Sequence, residues 1–136
     1  MLAIVDAGPL YAAVDASDAD HQRSLGVLSR GDLRLVIPAL VVAEVTYLVG
    51  RRLGSMVEAA FLCSLCDFDV AAPLSTDWSR IGQLVELYAD FPLGGTDASV
   101  VALAERLGTD VVITLDRRHF ENIRPRHCPA FRLLPL

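Results

Sequence analysis

Val111-Val112-Ile113-Thr114-Leu115-Asp116 is the clearest strand in this chain, an apolar run that ends on a carboxylate. A run of that kind needs cover on both faces, as strands of a parallel sheet between helices do. Just upstream, Thr96 to Leu107 reads as a helix, with Gly108 past its end. At the other end of the chain, Leu2 to Val5 is a second short apolar strand that closes on Asp6. Pro9 suits the first turn of a helix running to about Val14.

The same grammar fills the space between. Asp18 or Asp20 can cap a helix over about 21–29 that stops at Gly31, and Leu33 to Ile37 is a strand. Pro38 to Leu53 reads as a helix ended by Gly54. Ser55 can cap another from Met56 to Cys66, and Phe68 to Val70 is a weak strand. Ser75 or Thr76 caps a helix to about Ala89, a short helical turn is expected near His119, and Phe131 to Leu134 adds a last strand. Alternation of strand and helix predicts one α/β domain over residues 1–136, with a mostly parallel sheet. Ligands of such sheets collect beyond the carboxyl ends of the strands.

Composition narrows the function. Hydrophobic residues make up 53% of the 136, with a mean hydropathy of +0.43. Both a sheet covered on two faces and an apolar surface for a partner are consistent with that. No run reaches the roughly 18 to 20 apolar residues of a membrane span. The N-terminus lacks a basic region, and Asp6 falls where a signal peptide is apolar, so a cytoplasmic location is expected. The three cysteines exclude a full disulfide framework. Cys63 and Cys66 form a C-x-x-C inside a helix-like apolar stretch and are expected to pack in the core.

The formal net charge is -5, and all 12 basic residues are Arg. Five of them, Arg117, Arg118, Arg124, Arg126 and Arg132, share the C-terminal segment with Glu121 as their opposing acid. That segment is either a phosphate-holding stripe or a solvated basic tail.

Four acids stand where apolar elements end or turn over: Asp6, Glu44, Asp97 and Asp116. Taken singly, Asp6 and Asp116 can cap the turns that follow their strands, and Asp97 can favour a helix dipole. Glu44 resists that explanation. Its helical neighbours are Leu40, Val41, Tyr47 and Leu48, so it is expected on an apolar face with a metal ion or an Arg beside it. Other uses of a strand-end Asp fail for want of lysine: phosphoaspartyl receivers and haloacid-dehalogenase-type phosphatases need one, and so does a P-loop. Neither G-x-G-x-x-G after the first strand nor G-x-S-x-G is present. Acid-rich, lysine-free metal chemistry remains.

At this point the chain resembles a known family. Ile4-Val5-Asp6-Ala7-Gly8-Pro9-Leu10, the Glu44 helix, Gly94-Gly95-Thr96-Asp97-Ala98-Ser99 and Thr114-Leu115-Asp116-Arg117-Arg118-His119-Phe120 are similar to the successive motifs of PIN-domain ribonucleases. The likeness covers essentially the whole chain and is strongest to the toxin half of VapBC-type toxin–antitoxin pairs. It implies a PIN-like three-layer domain with about five strands flanked by helices. It also implies that Asp6, Glu44, Asp97 and Asp116 form an acidic quartet holding Mg²⁺ or Mn²⁺. A first ion would sit at Asp6 and Asp97 and a second near Asp116 and Glu44, so that water attack leaves a 5′-phosphate. Many relatives carry a hydroxyl residue directly after the first Asp, and here Ala7 stands in its place. The missing hydrogen bond is expected from Thr96, Ser99 or Thr114, while Arg117 and Arg118 are candidates for RNA phosphate contacts. His119 is expected as a turn residue. The resemblance further implies an RNA substrate, a cognate antitoxin and a homodimer. Two other readings use the same residues: a non-catalytic PIN-like RNA-binding or scaffold module, and a small-molecule metal-dependent phosphatase.

Overall fold

In the computed structural model, which describes residues 1–136, five short strands lie side by side in the order β3-β2-β1-β4-β5. They are β1 (Leu2–Val5), β2 (Arg34–Pro38), β3 (Asp69–Ala71), β4 (Val111–Ile113) and β5 (Arg132–Leu134). Every pairing is parallel, so the sheet is parallel throughout and not merely for the most part. Seven helices flank it: α1 (Ala7–Val14), α2 (His21–Leu28), α3 (Ala39–Leu53), α4 (Ser55–Ser64), α5 (Ser75–Leu87), α6 (Gly95–Leu107) and α7 (Arg117–Asn122). A single 3₁₀ turn, Leu65–Asp67, joins α4 to β3.

The apolar runs behave as their sequence demands. Ala3, Ile4, Val5, Val111, Val112 and Ile113 are buried completely or nearly so, because β1 and β4 form the centre of the sheet. Helix α6 is apolar on almost every side, with Ala98 through Ala104 all buried, and such a helix belongs inside a fold. It packs against β1, β2 and β4. Helix α3 buries Val41, Val45 and Val49 along one seam and leaves its other side to solvent. The edge strand β3 is the weak one, largely exposed.

Helix ends follow the glycines. Gly54 at φ 90° and Gly108 at φ 72° close α3 and α6 in conformations that a Cβ disfavours. Capping departs from expectation at α5, where neither Ser75 nor Thr76 caps. Instead Asp77 accepts the Leu74 amide at 2.8 Å and the Arg106 guanidinium at 2.9 Å. At α2, Asp20 holds the cap position without a side-chain bond, and the Asp18 carboxylate accepts the Asp20 amide at 2.8 Å. A second ion pair ties α5 to α6: Arg80 meets Glu105 through two bonds of 2.8 Å, with both side chains nearly buried.

One sequence expectation fails here. Cys63 and Cys66 are exposed, not in the core, because α4 buries only Phe61 and the 3₁₀ turn that carries Cys66 buries nothing. Three of the five C-terminal arginines find side-chain partners. Arg132 forms a bidentate pair with Asp110, Arg117 reaches Glu121, and Arg126 donates to Gln83. Asp110 and Gln83 are remote in sequence, which hid them from a count of local charges.

Candidate active site

Parallel pairing carries the carboxyl ends of β1 and β4 to one edge. Val5 lies opposite Ile113, and the Asp6 amide continues the ladder by donating to the Ile113 carbonyl at 2.9 Å. Asp6 and Asp116 are thereby brought side by side from opposite ends of the sequence. Helix α3 leaves the same edge from β2 and presents Glu44. Helix α6 begins there with Asp97 in its first turn. All four acids line one open cleft of about 510 Å³, together with Ala7, Gly8 and Leu115.

The four carboxylates are not equivalent. Asp6 is 4% exposed and is the deepest. Its Oδ2 accepts the Thr114 hydroxyl at 2.7 Å, while its Oδ1 is buried without any partner. Asp6 holds the cap position of α1 without a side-chain cap hydrogen bond. Burial pushes the Asp6 carboxyl above its ordinary pKa; the Thr114 hydroxyl and the Ala7 amide oppose the rise, and the charges of Glu44 and Asp116 add to it. Asp97 is pushed up to about 7, first by burial and then by Asp6, Asp116 and Glu44, with His119 acting in the other direction.

Glu44 differs from expectation. It is exposed, on the solvent side of α3, with no Arg paired to it. Its apolar neighbours mislead because Tyr47 is 63% exposed while Val41 carries the packing.

Asp116 caps α7 by accepting the His119 amide at 3.2 Å, and its second oxygen meets His119 Nδ1 at 2.7 Å. His119 is thus joined to the cleft, a role its expectation as a turn residue passed over. The signal available was its position three residues after Asp116 at a helix start. Phe91 lies against His119 at 4.8 Å between ring centroids, and the Arg118 guanidinium sits over Phe91 at 5.6 Å.

The three expected hydroxyls separate clearly. Thr114 is fully buried and links the site: it donates to Asp6 and accepts the Asp116 amide at 2.9 Å. The Ser99 hydroxyl turns back to the Thr96 carbonyl at 2.6 Å, and the Thr96 hydroxyl makes no bond, so neither reaches a carboxylate. Of the two arginines, Arg117 is engaged by Glu121 at 3.2 Å and by the Pro135 carbonyl at 3.1 Å. Arg118 has no acidic partner.

An all-oxygen, four-carboxylate cleft with one orphaned buried oxygen fits a hard divalent cation. No three ligating side chains are drawn together around a common point as in a formed metal centre. The fit therefore rests on Asp6 Oδ1 and on the four-carboxylate donor set that lines the cleft.

A strand-end Asp pair on a five-stranded parallel sheet, completed by acids from two helices, defines a class. The chain belongs to the PIN-domain family, whose model matches residues 3–124. It is 34% identical to Ribonuclease VapC26 of Mycobacterium tuberculosis over 134 residues, covering 97% of this chain and 99% of that protein. Among solved structures it is similar to M. tuberculosis VapC20, described as a Sarcin-Ricin loop cleaving toxin, with a TM-score of 0.75 and 17% identity over 81% of this chain and 86% of the other. It is also similar to VapBC2 from Rickettsia felis bound to a promoter DNA fragment, with a TM-score of 0.70 and 15% identity over 98% and 97% of the two chains. At those identities the structural likenesses speak for the fold.

Proposed function

We propose that this chain is a Mg²⁺- or Mn²⁺-dependent endoribonuclease, the toxin of a toxin–antitoxin pair, acting on RNA in the cytoplasm. The observation that carries this reading is the Asp6 carboxylate. It is buried at a strand end, fixed through one oxygen by Thr114 and unpartnered at the other, in a cleft ringed by three more acids. The 34% identity to a protein named as a ribonuclease supports RNA as the substrate.

Asp6 and Asp97 are the residues to hold the principal ion, with Glu44 and Asp116 completing the set. When bound, the ion supplies Lewis acidity, acidifying water and neutralising charge on the phosphodiester. The chain's own groups do the rest. Thr114 fixes the Asp6 carboxylate through its Oδ2. His119 orients Asp116 through the 2.7 Å contact. Arg118, placed over Phe91 without an acidic partner, is the arginine available to an RNA phosphate. Arg117 is occupied and is assigned a structural role.

Two apolar surfaces suit the protein partners. A groove of about 240 Å³ between α1, α2 and α4, lined by Leu10, Val14, Leu25, Leu28, Phe61 and Phe68, accommodates an apolar antitoxin segment. The exposed side of α5 that carries Trp78 and Val85, with Leu74 just before it, suits a second copy.

The test is cleavage of end-labelled RNA with Mg²⁺ or Mn²⁺, alongside thermal unfolding with and without Mn²⁺. Wild type should cut, stop in EDTA and unfold at higher temperature with Mn²⁺. Asp6→Ala should lose both responses. A folded wild-type protein that binds RNA without cutting it would establish the non-catalytic module instead.

A further inference from the structure

Helix α3 carries one feature that the acid cleft leaves unused. Its buried seam runs through Val41, Val45 and Val49, so its opposite side is set by the helical repeat. On that side Glu44, Tyr47 and Arg51 fall in one stripe, spaced as i, i+3 and i+7. Glu44 lines the cleft. Tyr47, about one helical turn further along, holds a large aromatic ring 63% exposed. Neither its hydroxyl nor its ring has a partner in the fold. Arg51 comes next in the last turn, exposed and without an ion pair.

Arg52 supplies the contrast. It is placed over the Tyr11 ring at 5.1 Å, so its cation is already used inside the molecule. Arg51 is not. An unpaired aromatic followed by an unpaired cation, continuous with a carboxylate of the cleft, matches what a single nucleic-acid strand offers: a base face, then a phosphate. Beside the cleft, Arg118 over Phe91 gives a second cation at the end of the contact chain from Asp116 through His119.

We infer that the α3 stripe is the path by which a single-stranded RNA segment leaves the acid cleft, with a base stacked on Tyr47 and a backbone phosphate held by Arg51. The inference rests on the ribonuclease reading of the cleft and adds the course of its substrate along α3. Tyr47 cannot stack on a base that is already stacked in a duplex, so the stripe selects against paired RNA. It is indifferent to base identity, because every base has a face.

Binding and cutting are tested separately. Cleavage by the wild-type protein with Mn²⁺ tests the ribonuclease reading. The path is tested in an Asp97→Asn background with Mg²⁺, where hydrolysis stops, by anisotropy of a fluorescein-labelled oligouridylate and of a labelled RNA duplex. Tyr47→Ala should weaken binding of the single strand by about tenfold, whereas Tyr47→Trp should preserve it. Neither should change duplex affinity. Arg51→Ala should flatten the slope of log affinity against log salt by about 0.7, one phosphate contact. In Tyr47→Trp with Trp78→Phe, quenching of the remaining tryptophan by oligouridylate would report the stack directly.

Unaltered single-strand affinity in Tyr47→Ala would overturn the path. So would a loss that tracks dissociation of a dimer in sedimentation, which would assign Tyr47 to a protein interface. Both residues are exposed, so unchanged thermal unfolding of the variants is the folding control.

Discussion

At the scale of single residues, Thr114 supplies the hydroxyl that Ala7 lacks. With Ala7 after Asp6, no hydroxyl is adjacent in sequence, and the hydrogen bond arrives from the residue that follows the neighbouring strand β4. Thr114→Val should therefore weaken Mn²⁺-induced thermal stabilisation, with about tenfold lower metal affinity, while Thr114→Ser retains it. Asp97 carries the pH dependence. Its folded pKa of about 7 lies above the ordinary 3.8, so between those values the folded state binds the extra proton. The Asp97 contribution to metal-free stability is then greatest at low pH and falls as pH rises through this window, levelling above about pH 7. Unfolding midpoints measured in EDTA across that range should show the fall for wild type, and Asp97→Asn should flatten it. A protein more stable in EDTA once a carboxylate is removed is the signature of a site built for a cation.

Among the elements, strand and helix positions were legible because each signal was local. Gly54 and Gly108 ended their helices, apolar runs without alternation became buried strands, and Asp6 and Asp116 fell at strand ends that parallel pairing had to bring to one edge. What escaped depended on which side of a helix meets the core. The apolar character of α3 and α4 runs around more of each helix than is buried, so Glu44, Cys63 and Cys66 were placed inside when they are outside. The ion pairs Arg80–Glu105 and Arg106–Asp77 also escaped, since the partners lie 25 and 29 residues apart. Those pairs now make a prediction about α5. Arg80→Ala leaves Glu105 nearly buried and facing only the Arg126 amide, and should cost about 3 kcal/mol, read by denaturant unfolding. Gly54→Ala, forced to φ 90°, should cost about 1 kcal/mol by the same measurement.

For the whole molecule, the fold holds a hard, negatively charged edge against otherwise apolar surroundings. No helix is long and apolar enough to cross a membrane. The apolar excess goes instead into the α6 core, the groove between α1, α2 and α4, and the exposed side of α5. The two surface regions have separable readouts. Substituting Phe61, on the groove floor, with Ala should weaken antitoxin binding and cost about 3 kcal/mol of stability as well. Trp78→Arg on exposed α5 should alter the sedimenting mass without touching the fold.

The central pairing of β1 with β4 also sets a clock. Asp6 and Thr114, 108 residues apart, meet only when β4 slides in beside β1. Asp116 follows Asp6 by 110 residues along the chain, so a growing chain has no cleft until that whole stretch has been made. Long-range parallel contacts of this kind are slow to form. A nuclease arranged this way is harmless to the message that encodes it, and to the ribosome translating that message, until β4 and Asp116 are in place.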